Sequence, residues 1–79
     1  MRYKDDVIPL LKVPVGDIAR LEGVDDSLRA KLLQYGLHIG DPLRVLRIAP
    51  LGGPLLVEVN GREIALGRAV AEKMFVGIE

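Results

Sequence analysis

Glu58 and Glu63 are the side chains whose type and spacing first suggest chemistry in this chain. They flank Asn60-Gly61, a pair that favours the two positive φ angles of a tight hairpin turn. A two-residue turn there sets Val59 opposite Arg62, Glu58 opposite Glu63 and Val57 opposite Ile64. Two carboxylates then share one face of a hairpin, while Leu55, Val57, Val59, Ile64 and Leu66 share the other, core-facing side. Like charges directly opposite repel, by about 1 kcal/mol at 4 Å in water and about 4 at an effective dielectric of 20. Solvent with a neighbouring arginine, Arg44 or Arg47, can offset that repulsion; so can a divalent first-row cation, which accepts carboxylate and imidazole ligands. Two ligands are too few for a tight site, and the single histidine, His38, sits in a Leu-His-Ile-Gly loop that nothing brings to the glutamates. The expectation is a solvated pair with no metal ligands and no cofactor.

Other chemistries find less support. Ser27 is the only serine, cysteine is absent, and Asp25-Asp26-Ser27 reads as a helix cap rather than a nucleophile with its base. Leu51-Gly52-Gly53-Pro54 is glycine-rich but lacks the lysine and following helix of a phosphate-binding loop. With 79 residues the chain is one small domain. A void costs about 24 cal/mol per Å³, so a dry pocket of roughly 300 Å³ would consume most of the expected stability. These points favour a binding module over an enzyme.

Eleven basic and eleven acidic residues cancel, six against six through Gly40 and five against five after it. That balance, with only Tyr3, Tyr35 and Phe75 as aromatics, argues against nucleic acid as a partner. The polar start Met-Arg-Tyr-Lys-Asp-Asp and the short apolar run broken by Pro9 and Pro14 read as neither a signal peptide nor a membrane insertion. A cytoplasmic protein is expected.

The elements that must position these residues are short. Residues 1–12 read as a leader, with the first six disordered and Ile8, Leu10 and Leu11 apolar enough to pack on the domain that spans 13–79. Val15–Glu22 reads as a bent or bulged strand. Leu28, Leu32 and Tyr35 fall on one face of a short helix, widened by Leu33 and stopped by Gly36 with Leu37 in a Schellman-type end. Strands follow at Leu43–Ile48, Leu55–Val59, Arg62–Leu66 and Met74–Ile78, with a helical turn inside Gly67–Lys73. The fold class expected is mainly β: a small, partly open barrel of about five strands with one short α-helix.

The run Arg29-x-x-Leu32-Leu33-x-x-Gly36-Leu37-x-x-Gly40, then Val45, then Ala-Pro-Leu-Gly-Gly-Pro, then Ile64-Ala65-Leu66, resembles the FeoA family across roughly residues 15–78. Ile39-Gly40 stands where the family often has Pro-Gly, and Gly67 precedes Arg68 where an arginine often comes directly. The resemblance implies an SH3-like barrel and an accessory role in bacterial ferrous iron uptake. Its implied partner is the cytoplasmic GTP-hydrolysing region of the FeoB transporter. A related barrel is appended to DtxR-type iron-dependent repressors, so a metal-responsive regulatory domain is the alternative.

For partner contact, Leu51 is the leading candidate, because Pro50 and Gly52-Gly53 make it protrude from a turn. Leu28, Leu32 and Tyr35 are further candidates, since a small barrel cannot bury every side of a helix. A free strand edge leaves weak self-association open.

Overall fold

The computed structural model describes residues 7–78. The first six residues, expected to be disordered, lie outside the described residues. Six antiparallel strands run in the order β1-β6-β2-β3-β4-β5. They are β1 (Val7–Pro9), β2 (Ile18–Val24), β3 (Pro42–Ile48), β4 (Leu55–Val59), β5 (Arg62–Leu66) and β6 (Met74–Ile78). Two helices join them, α1 (Arg29–Tyr35) and α2 (Arg68–Ala71), with 3-10 turns at Leu10–Lys12 and Asp26–Leu28. The sheet curls without closing, leaving β1 and β5 as its edges.

Alternation decides which side chains meet inside. Ala19 and Leu21 of β2, Leu43 and Val45 of β3, and Leu55, Val57 and Val59 of β4 are buried, as are Met74 and Val76 of β6. Their neighbours in sequence point outward, as the period of two requires. Two bulges bend the sheet. One falls between Leu21 and Gly23, so that Glu22 is the extra residue of β2; the other falls between Val45 and Arg47 of β3. The irregular alternation of the first long strand has this physical cause. The β4–β5 hairpin has the register that its Asn-Gly turn dictates: Val59↔Arg62, Glu58↔Glu63 and Val57↔Ile64. Ile64 lies on the core face but is only half-buried.

The segment set apart as a leader enters the fold at its end. Val7–Pro9 pairs with β6, and Leu10 is fully buried, while Ile8 and Leu11 pack against the core. The sixth strand comes from here. Three residues ending in proline carry too little alternation to read as a strand from sequence.

The helix begins as a 3-10 turn. Asp25 is its cap: the carboxylate accepts from the backbone N–H and the hydroxyl of Ser27. Gly36, with φ of 74°, ends α1, and Leu37 N–H donates to the Leu32 carbonyl at 2.9 Å, the outer bond of a Schellman motif. Arg62, at the mouth of the β4–β5 hairpin, donates through Nη2 to the Gly36 carbonyl at 3.1 Å. This long-range bond fastens the hairpin to the end of the helix.

Candidate functional site

Among the described residues the most exposed large apolar side chain is Leu51, 102% accessible at the tip between β3 and β4. The turn is built from residues 49–54. Gly53 N–H donates to the Pro50 carbonyl at 3.1 Å, and Ala49 N–H to the Pro54 carbonyl at 3.0 Å. Leu51 and Gly52 both have positive φ, 59° and 76°, the signature of a type I′ turn. Gly53 is required by space: a Cβ there would lie 2.8 Å from that of Ala49. The chain's other turn of this kind, Asn60-Gly61, has φ of 50° and 83° and uses the residues that such a turn prefers. Leucine is not among them, since its Cβ crowds the following carbonyl in the left-handed region. The tip thus carries an apolar side chain that turn chemistry alone would not select.

Beneath the loop lies Arg68, half-buried at the start of α2. Its Nη2 donates to the Ala49 carbonyl at 3.0 Å and its Nε to the Gly53 carbonyl at 3.2 Å. No local pattern announces this contact, which joins residues distant in sequence. The displaced arginine of the Gly67-Arg68 pair was its only trace.

The helix candidates separate. Leu28 and Leu32 are 6% and 8% accessible and belong to the core, and Tyr35 is half-buried against it. The expectation that Leu28 and Leu32 present an exposed apolar surface is corrected: both lie mostly under the barrel, and Leu32 reaches the surface only as part of the groove wall. The apolar surface of this region belongs instead to Leu33 and Ile39, 71% and 56% accessible. With Val24, Leu37 and the aliphatic wall of α1 they line an open groove of about 410 Å³. None of the residues of the Leu51 turn lines it.

Glu58 and Glu63 face each other as the register demands, with Arg44 beside Glu58 on β3. Arg44 donates through Nη1 to the Gly16 carbonyl at 2.9 Å and closes no ion pair with Glu58 among the described residues. His38 lies in the loop after α1, its Nδ1 3.6 Å from Asp41. Among the described residues no three His, Asp or Glu side chains are grouped so as to hold a metal ion, and no helix is long and apolar enough to cross a membrane.

An unclosed sheet of six short antiparallel strands, with α1 and the single turn of α2 beside it, defines the class: a small SH3-like barrel. Solved structures share this architecture. A FeoA protein from Chlorobium tepidum superposes with a TM-score of 0.77 at 37% identity, over 90% of this chain and 70% of that one. A manganese-dependent transcriptional repressor gives a TM-score of 0.84 at 20% identity, over 92% of this chain and 42% of that one, a likeness of fold alone. Among curated proteins, a candidate Fe(2+) transport protein A of Methanocaldococcus jannaschii is 31% identical over 70 residues, covering 86% of this chain and 83% of that protein. A glutamyl-tRNA(Gln) amidotransferase polypeptide of Roseiflexus sp. is 29% identical over 76 residues, and the chain spans only 16% of its length.

A family model of the FeoA domain matches residues 8–77. The chain belongs to the FeoA family, in which relatives carry names of iron uptake regulation and Fe(2+) transport.

Proposed function

We propose that this protein is a non-enzymatic binding module that docks on the cytoplasmic region of a FeoB-type ferrous iron transporter through the turn Pro50–Pro54, with Leu51 as the inserted side chain. The observation that carries this reading is the fully exposed leucine on a hydrogen-bonded turn whose backbone conformation disfavours it. Strain of this kind clusters where a segment recognises something. A single large apolar side chain entering a pocket is also a common anchor of protein interfaces. Family membership supplies the system in which the partner is sought.

The test is an NMR titration of the labelled protein with the cytoplasmic domain of the FeoB-type transporter from the same organism. Shifts centred on residues 50–54, abolished in a folded Leu51→Asp variant, are expected. Absence of shifts at high partner concentration would overturn the proposal. A second reading rests on the fold shared with the manganese-dependent repressor: a metal-responsive regulatory domain similar to the barrel of DtxR-type proteins. Saturable binding of Fe(II) or Mn(II) by the isolated protein, with no response to the transporter domain, would favour it.

A further inference from the structure

The Ala49 carbonyl loses its ladder partner through the sequence itself. Ala49 N–H donates to the Pro54 carbonyl at 3.0 Å. The reciprocal bond of such a pair would come from the N–H of residue 54, and proline has none. Arg68 supplies the missing donor, with Nη2 3.0 Å from the Ala49 carbonyl. The same guanidinium reaches the opposite limb of the loop, with Nε 3.2 Å from the Gly53 carbonyl. A planar fork of fixed geometry thereby spans both limbs at once, a pre-organisation that a flexible lysine ammonium lacks. Between the two gripped carbonyls the chain must pass through Leu51 at φ of 59°. Left to itself, a leucine there would relax toward negative φ.

We infer that Arg68 is a positioning residue for partner recognition: it clamps both limbs of the turn and so holds Leu51 in the left-handed conformation in which the partner meets it. The inference rests on the docking role proposed for Leu51. Arg68 itself lies under the loop and works through the carbonyls of Ala49 and Gly53. A side chain already fixed in its bound geometry avoids the ordering cost of association, and loosening the turn restores that cost.

Three variants test it: Arg68→Ala, Arg68→Lys, and Arg68→Ala combined with Pro54→Ala. The readouts are amide relaxation of residues 50–54, the HN–Hα coupling of Leu51, and affinity for the transporter's cytoplasmic domain. In Arg68→Ala the core resonances are expected to stay in place, the Leu51 coupling to average, and affinity to fall on the order of tenfold. Pro54→Ala returns an N–H that can serve the Ala49 carbonyl, so the double variant should recover part of both loop order and affinity. A merely space-filling role for Arg68 predicts no such rescue. If Arg68→Ala does not fold, Arg68→Lys carries the comparison, with the rigid fork replaced by a single flexible ammonium. A loop as ordered as the native one in folded Arg68→Ala overturns the inference, as does a loosened loop with unchanged affinity. Leu51→Asn separates the two proposals: native affinity in that variant sinks the docking role itself, whatever Arg68 does.

Discussion

A leucine at φ of 59° carries a local penalty of about 1–2 kcal/mol against a residue suited to that region. Asparagine is such a residue, and Asn60 occupies the matching position in the other turn. Leu51→Asn should therefore raise stability by about 1 kcal/mol, several degrees in Tm for a chain of this size, while removing the side chain that docks. A thermal melt and the titration above check the two halves of that expectation. A drop in Tm would mean that Leu51 contributes packing its exposure conceals. Asp25 gives a second prediction at this scale. Its bonds from the Ser27 hydroxyl, then from the Ser27 N–H, hold its carboxyl below the ordinary value of 3.8. A depressed folded pKa means stabilisation that is complete above the unfolded pKa and lost as pH falls through the folded one. The stability gap between the native protein and Asp25→Asn, followed by urea denaturation, should narrow below pH 3.8. A gap that persists into strong acid would assign the cap to something other than the ionised carboxylate. Legibility at this scale divides by locality. Leu51 could be read as protruding because Pro50 and Gly52-Gly53 are its neighbours. The grip of Arg68 could not, because proximity between residues 49, 53 and 68 is a property of the folded sheet.

Among the elements, the β4–β5 hairpin was fully legible, since the turn pair and strict alternation determine one register. The helix was legible in which residues share a face but not in whether that face is covered. Leu28, Leu32 and Tyr35 do share a face, and that face is covered, so the surface passes to Leu33. The union of these two elements through Arg62 is a testable feature. Arg62→Ala removes the donor to the Gly36 carbonyl and should destabilise by about 1 kcal/mol, because the bond is charge-assisted but exposed. Hydrogen exchange should accelerate at the C-terminal turn of α1 before it does in the sheet; uniform acceleration would point to global loosening instead. The glutamate pair belongs to this scale as well. Replacing Glu58 and Glu63 together by glutamine removes a cross-strand repulsion, so stability should rise by up to about 1 kcal/mol with transporter binding unaltered. Lost binding in the folded double variant would show that these carboxylates do more than share a strand pair.

For the molecule as a whole, size governs the consequences of damage. A chain of 79 residues has a folding free energy of roughly 4–12 kcal/mol at ordinary per-residue values. Leu21 is fully buried where the bulged β2 crosses the core. Leu21→Ala should cost about 3–5 kcal/mol, a large part of that total. Its urea midpoint should collapse or the variant should fail to fold; a loss under about 1 kcal/mol would mean that the bulge lets the sheet close over the gap. The sixth strand was the least legible feature of the whole. Val7–Pro9 becomes a strand only because β6, at the far end of the sequence, offers it an edge.

That same pairing has a consequence for how such a barrel can be carried by other proteins. Val7 stands directly across from Gly77 on adjacent antiparallel strands, so the two ends of the described fold lie about 5 Å apart. A host polypeptide could therefore open one of its own loops, splice the barrel in, and close again without stretching. By the same geometry, a short linker from 77 to 7 would allow new ends to be cut at Asn60-Gly61 while every strand keeps its neighbours. Inserted in that way the barrel would keep its strand order, with the Leu51 turn between β3 and β4 and not at the join.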